Sequence, residues 1–215
     1  MLTPDGSPVL EVMDFSSPMS LDPLPDGWYH RVFRTSDPME LSFATKSGQP
    51  ALRLATHGTA SMLVRHVEVP IQGYPILAWR WLIERGIRSG ADERTSAGDD
   101  HPARLTLAFE SPDGDRHRTE IIWGNRLETG EYVHLQFGPS FLFDPFPHYV
   151  ANGGEANEAR WHAEQLDLTV LHRELWGDPV GARLVDIGLF CDSDQTGDRT
   201  VTYVADVRLQ QASEP

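Results

Sequence analysis

The chain has 215 residues, of which 40% are hydrophobic and 23% charged, with a formal net charge of −14. This length suits a single domain able to bury a core without disulfide staples. The negative field repels phosphate backbones and anionic lipid, so neither nucleic acid nor membrane is expected as a partner; it suits solubility, cations and neutral ligands. A single cysteine, Cys191, excludes an intrachain disulfide. Cys191 ends the alternating series Val185, Ile187, Leu189, so an inert buried thiol is expected rather than a nucleophile. No apolar stretch approaches membrane-spanning length. Residues 1–14 carry no basic segment followed by an apolar core, so a cytoplasmic location is expected unless a leader has been removed.

In chain order, residues 9–15 read as a first strand, and residues 16–28, with Pro18, Pro23, Pro25 and Gly27, as an irregular connection. Residues 51–55 and 61–69 alternate. The strongest run is 75–83, which places Leu77, Trp79, Trp81 and Ile83 on one face and Ile76, Ala78, Arg80 and Leu82 on the other, as in a central strand covered on both sides. Residues 84–100 read as a charged, glycine-containing loop. Residues 104–109 and 119–123 flank the turn signal Pro112-Asp113-Gly114-Asp115 and are expected to form a hairpin. Residues 137–154 read as a long aromatic loop. After a strand near Trp161, Leu168, Leu171 and Leu175 fall at helical spacing, and Gly177 with Pro179 ends that helix at Trp176. Residues 182–190 and 200–209 close the chain as strands. About nine or ten strands with one short helix predict an all-β fold, a single jelly-roll β-sandwich of two antiparallel sheets spanning residues 1–215.

Several separated motifs resemble a bacterial family, the domain of unknown function 3047. They are Trp79-Arg80-Trp81, the stretch from Ala91 to Asp100 with Ala103-Arg104, Ile122-Trp123-Gly124-Asn125, Trp161 with Glu164 and Asp167, Leu175-Trp176-Gly177, and Asp192-Ser193-Asp194-Gln195-Thr196-Gly197. The resemblance runs from about Pro75 to Leu209 and implies architecture more than activity; many members of that family are exported. The closing run from Val201 to Leu209 is similar to the last strand of galactose-binding-like jelly rolls, a likeness of fold that does not establish function.

Four constellations are candidates for chemistry. Asp192, Asp194, Thr196 and Asp198 place oxygens at alternate positions of a glycine-containing turn, as in the first half of an EF-hand loop. The twelfth position is Tyr203 rather than a bidentate Glu, so a polar turn with aspartates capping backbone amides is the plainer reading. The galactose-binding-like resemblance implies Asp14 and Asp206 as alternative calcium ligands. Asp99 and Asp100 precede a strand and point to opposite faces, so a salt bridge to Arg80, Arg94 or Arg104 is expected rather than a shared site. Arg80 and Arg104 interrupt apolar strand faces and need a carboxylate, water or an anionic ligand; Glu120 and Asp186 are the expected partners. The aromatic residues of 141–149 either stack on sugar rings or cover a sheet edge. None of the nine histidines has zinc-site spacing, though His101, His117 and His148 fall in loops, and no serine-hydrolase or phosphate-loop motif is present.

The leading expectation is a non-catalytic ligand-binding sandwich for a glycan or another small polar molecule. Arg80, Arg104, Trp123 and Asp186 line its face, Asp99 and Asp100 stand at the rim, and calcium is a possible structural ion. The alternatives are a polysaccharide-acting hydrolase or lyase with Glu120 and Asp186 as the carboxylate pair, and a structural or protein-interaction module.

Overall fold

A computed structural model describes residues 1–136 and 145–212. Among the described residues, thirteen strands form two sheets, accompanied by one α-helix. The strands are β1 (Val9–Met13), β2 (Trp28–Val32), β3 (Glu40–Lys46), β4 (Gln49–His57), β5 (Ala60–Pro70), β6 (Ile76–Arg85), β7 (Arg104–Glu110), β8 (Arg116–Gly124), β9 (Tyr132–Leu135), β10 (Phe146–Gly153), β11 (His162–Asp167), β12 (Arg183–Asp192) and β13 (Arg199–Gln210). The architecture is the expected β-sandwich with one short helix.

One sheet runs β11-β6-β13-β4-β3, with β1 also on β13; the other runs β2-β5-β12-β7-β8-β10-β9. All neighbours are antiparallel except β8 and β10, which pair in parallel. β13 pairs with β4 over its first half and with β1 over its second. Its register against β6 shifts between Ala205 and Arg208, and Asp206 there has a φ of 54°. A bulge of this kind kinks a long strand, here where it changes neighbours.

The period-2 pattern sets what fills the interior. Leu77, Trp79, Trp81 and Ile83 of β6 face Leu105, Leu107 and Phe109 of β7, Ile121 and Trp123 of β8, and Ile187 and Leu189 of β12 across the core. Trp81 meets Trp79 edge-on at 5.4 Å and Trp123 at 5.7 Å, linking the two sheets. Burial of each such ring contributes roughly 2–3 kcal/mol. The other face of β6 is covered in part: Leu82 packs with Ala51, Tyr203 and Ala205.

The helix α1 (Leu168–Trp176) forms where its leucine spacing predicts, burying Leu168 and Leu171. The Asp167 carboxylate caps it by accepting from the Thr169 and Val170 amides, and Gly177, at φ 92°, ends it. Among the described residues, no helix is long and apolar enough to cross a membrane. The β7–β8 hairpin is present with the expected turn. Four strands lie where none was expected: β2, β3, β9 and β10. Part of the presumed aromatic loop is β10; the remainder, residues 137–144, lies outside the described residues.

Candidate functional site

A cleft of about 550 Å³ lies on the outer face of the seven-stranded sheet. Strand register builds it in rows. The central row runs Tyr29, Val64, Gly188, Thr106, Glu120, His148 across β2, β5, β12, β7, β8 and β10. A neighbouring row carries Arg31, Met62, Phe190 and Arg104, and the row on the other side His66, Asp186, Ala108 and Arg118. The floor is small and apolar because Gly188 has no side chain. A Cβ there would lie 2.6 Å from Thr106 Cγ2 and 3.0 Å from Val64 Cγ2. Aromatic rings stand at its margins: Tyr29 and Phe33 on the β2 side, Phe190 on β12, and Phe146 at the start of β10.

One end of the cleft is an ion-pair network around Arg104, whose side chain is buried. Arg104 Nη1 donates to Asp99 Oδ1 at 3.0 Å and to Glu120 Oε2 at 2.7 Å. Asp192 receives Nε at 3.1 Å and Nη2 at 2.6 Å, a bidentate pair. His148 Nε2 lies 3.2 Å from Glu120 Oε2, and the Arg104 guanidinium covers the Phe190 ring at 4.7 Å. A buried guanidinium is tolerable only with this degree of pairing. Burial opposes ionisation of Asp99 and Glu120, but the Arg104 charge together with His148, and with His101 at Asp99, outweighs it and holds both below their ordinary range. Asp192 behaves oppositely: burial, with Asp99 and Asp100 adding repulsion, raises it well above the usual carboxyl range despite Arg104. Three carboxyls around one arginine therefore divide unequally, and Asp192 is the one whose ionisation the site opposes most.

The adjacent Asp99 and Asp100 do point apart. Asp99 faces Arg104, while Asp100 accepts the amides of Gln195 at 3.3 Å and Thr196 at 2.6 Å, fixing the 192–198 turn. Within that turn side-chain oxygens cap backbone amides, as in the plainer reading of the sequence. Thr196 Oγ1 accepts from the Asp198 amide, and the Asp198 carboxylate accepts the amides of Arg88 and Arg199. Among the described residues, Asp100, Asp192 and Asp194 have metal-compatible spacing, each offering an oxygen within 4.8 Å of the others. Asp194 Oδ1 is shielded from solvent and has no hydrogen-bond partner. Asp14 instead caps Ser16, and Asp206 binds Arg80 and Gln49.

Of the residues expected to line the ligand face, Asp99, Arg104 and Asp186 do so. Arg80 does not: it lies on β6 in the opposite sheet, bonded to Gln49 at 2.5 Å, near Asp206 at 3.4 Å and over the Trp161 ring. Trp123 faces the core, where it is buried against Trp81. Asp100 is buried beneath the turn it holds. Glu120 and Asp186 both reach the cleft, but each already has a partner, Glu120 in the Arg104 network and Asp186 in His66 Nδ1 at 2.5 Å. Their strands are separated by β7, a sideways spacing of roughly 10 Å. His101 and His148 meet in the Arg104 network, whereas His117 stacks on Trp176 at 5.0 Å. Cys191 is buried, and burial pushes its thiol up to about 12, as expected of an inert position.

Residues 26–208 match the family described as protein of unknown function DUF3047. The chain belongs to that family. No curated protein matches it. A solved family 30 carbohydrate-binding module is similar to this DUF3047 chain at 9% identity over 96% of the chain and 89% of its own, with a TM-score of 0.50. A family 30 module of a cellulosomal cellulase of Clostridium thermocellum aligns at 11% identity over 96% and 99%, with a TM-score of 0.49. A family 11 module of the Clostridium thermocellum cellulase Lic26A-Cel5E aligns at 9% over 96% of each chain, with a TM-score of 0.48. At such identities the likeness is one of fold. Sequence reasoning missed Tyr29, Arg31 and Arg118 as cleft residues of the DUF3047 chain. The alternation of residues 28–32, Trp-Tyr-His-Arg-Val, was the available signal for the first two.

Proposed function

We propose that this chain is a non-catalytic carbohydrate-binding sandwich that holds a glycan along the outer face of its seven-stranded sheet. The observation that carries this reading is the cleft itself. It is of ligand-site size, floored by small apolar residues, edged by aromatic rings and supplied with polar side chains from several strands. Rings such as Tyr29 and Phe146 offer flat apolar faces to a sugar, and the fixed guanidinium and carboxylate groups offer hydrogen bonds. The solved modules named for carbohydrate binding share this sandwich, which supports the reading by analogy of fold. Binding is favoured over hydrolysis because Glu120 and Asp186 are each engaged with another side chain rather than poised across the cleft.

A glycan array followed by calorimetry, with product analysis of the same mixtures, tests the proposal. Binding without released product is the expected result. Absence of binding to every glycan contradicts it, and product formation abolished by Glu120→Gln would replace it with the enzymatic reading. As part of the same proposal, a divalent cation such as calcium takes Asp100, Asp192 and Asp194, favoured by the unpartnered Asp194 Oδ1. Calcium should then raise the melting temperature, reversibly with chelator and not in Asp194→Asn. An unchanged melting temperature contradicts the cation.

A further inference from the structure

The ionisable groups that line the cleft are unequally committed. Asp99, Glu120 and Asp192 share Arg104, and Asp186 has His66. Burial and the neighbouring Asp100 raise Asp194 above its ordinary value. Arg31 and Arg118 have no such engagement: among the described residues, neither makes a hydrogen bond or an ion pair, and both are exposed. Arg31 lies over a ring, with its guanidinium 5.4 Å from the Phe33 centroid. The contrast with a near neighbour is direct. Arg116, two residues before Arg118 on the same strand, holds Glu110 at 3.2 Å. On a chain with 32 acidic residues against 18 basic ones, two unpaired arginines lining one cleft are open positions for an anion.

Their placement is complementary. Arg31 projects from β2 at one edge of the sheet, and Arg118 from β8 beyond β5, β12 and β7. Both nonetheless act on one group, Tyr29. Burial and Asp186 raise its phenol, and the Arg31, Arg118 and Arg116 charges oppose that rise. A ring lying on Tyr29 would sit in the cleft that both guanidinium groups line. A guanidinium fork matches the two oxygens of a carboxylate or sulfate.

We infer that the glycan is acidic, with its anionic groups held by Arg31 and Arg118 while a sugar ring rests on Tyr29. This rests on the glycan-binding reading above and narrows its ligand class. The anionic group is a uronate carboxylate or a sulfate ester, two sources of the same charge and fork geometry.

Calorimetry with paired oligosaccharides separates them. Oligomers of galacturonate, mannuronate, guluronate and glucuronate are each compared with their carboxyl-reduced counterparts, and a sulfated galactan oligomer with its desulfated form. The acidic member of at least one pair should bind about tenfold tighter, the order of one charge-assisted contact. Arg31→Gln and Arg118→Gln should each remove most of that difference and leave the neutral member's affinity unchanged. Arg173→Gln on α1 should change nothing. Circular dichroism confirms that each variant is folded. A preference within a uronate pair assigns the carboxylate, and one within the sulfated pair the sulfate; either supports the inference. Neutral members binding as tightly as acidic ones in every pair overturn it and leave the glycan-binding reading standing. No binding to any neutral or acidic glycan removes that reading and this one together.

Discussion

At the scale of single residues, Arg104 and Arg80 behave as opposites although both interrupt apolar strands in the same way. Arg104 is buried among three carboxylates, whereas Arg80 is partly exposed beside one. Arg104→Met should cost about 3–5 kcal/mol, since it strands buried carboxyls. In a chain of this length that lowers the melting temperature by roughly 6–20 °C. Arg80→Met should cost about 1 kcal/mol or less, and calorimetric scanning of the two variants makes the comparison. The network also has a pH signature. The folded state holds the Asp192 proton more tightly than the unfolded chain does. That contribution is full below the unfolded value of about 3.9 and is lost as pH rises through the raised folded value. Asp99 and Glu120 are shifted down, so their contribution is present above about 4 and lost as pH falls through their folded values. Denaturant midpoints measured from pH 3 to 9 should therefore decline less on the high-pH side in Asp192→Asn, and less on the acid side in Glu120→Gln. The reverse pattern would contradict these opposite shifts. The need for a partner at both arginines was legible from alternation. Which sheet face each occupies was not, because that depends on pairing β6 with β13 and β7 with β12, contacts between strands distant in sequence.

At the scale of elements, β12 and α1 show how local choices position the cleft. Gly188 lets Thr106 and Val64 close over β12 as a smooth floor. Gly188→Ala should cost about 1–3 kcal/mol through overpacking and should weaken ligand binding; denaturation and titration of the one variant read both effects. Asp167→Ala removes the helix cap and should cost about 1 kcal/mol while leaving the cleft unchanged. The strands that alternate cleanly, β5, β6, β7, β12 and β13, were legible because one face of each is buried in the core. β2 and β3 escaped notice because they end their sheets and are mostly exposed or half-buried, which blurs the period. β10 was hidden by Pro147, which argues against an interior strand, and by its parallel pairing with β8. The helix was fully legible because its spacing, cap and stop signal agree. The cleft follows the same division. Its Asp99–Arg104 end came from a visible strand, while its Tyr29, Arg31 and Phe146 margins belong to strands that were not seen.

At the scale of the whole molecule, the two outer sheet faces are chemically distinct. The six-stranded sheet closes Arg80 and Lys46 with Asp206 and Glu84, whereas the seven-stranded sheet keeps an open cleft. The account predicts that ligand binding maps to the second face alone. Titration of the wild-type chain with the tightest oligosaccharide, beside Tyr29→Ala, Phe146→Ala and Arg80→Gln, tests this most directly. Each aromatic variant should lose about tenfold or more in affinity, the order of one ring contact together with its buried area. Arg80→Gln should bind as the wild type does. Unchanged affinity in both aromatic variants, or a loss confined to Arg80→Gln, would contradict the assignment of the site to the seven-stranded sheet.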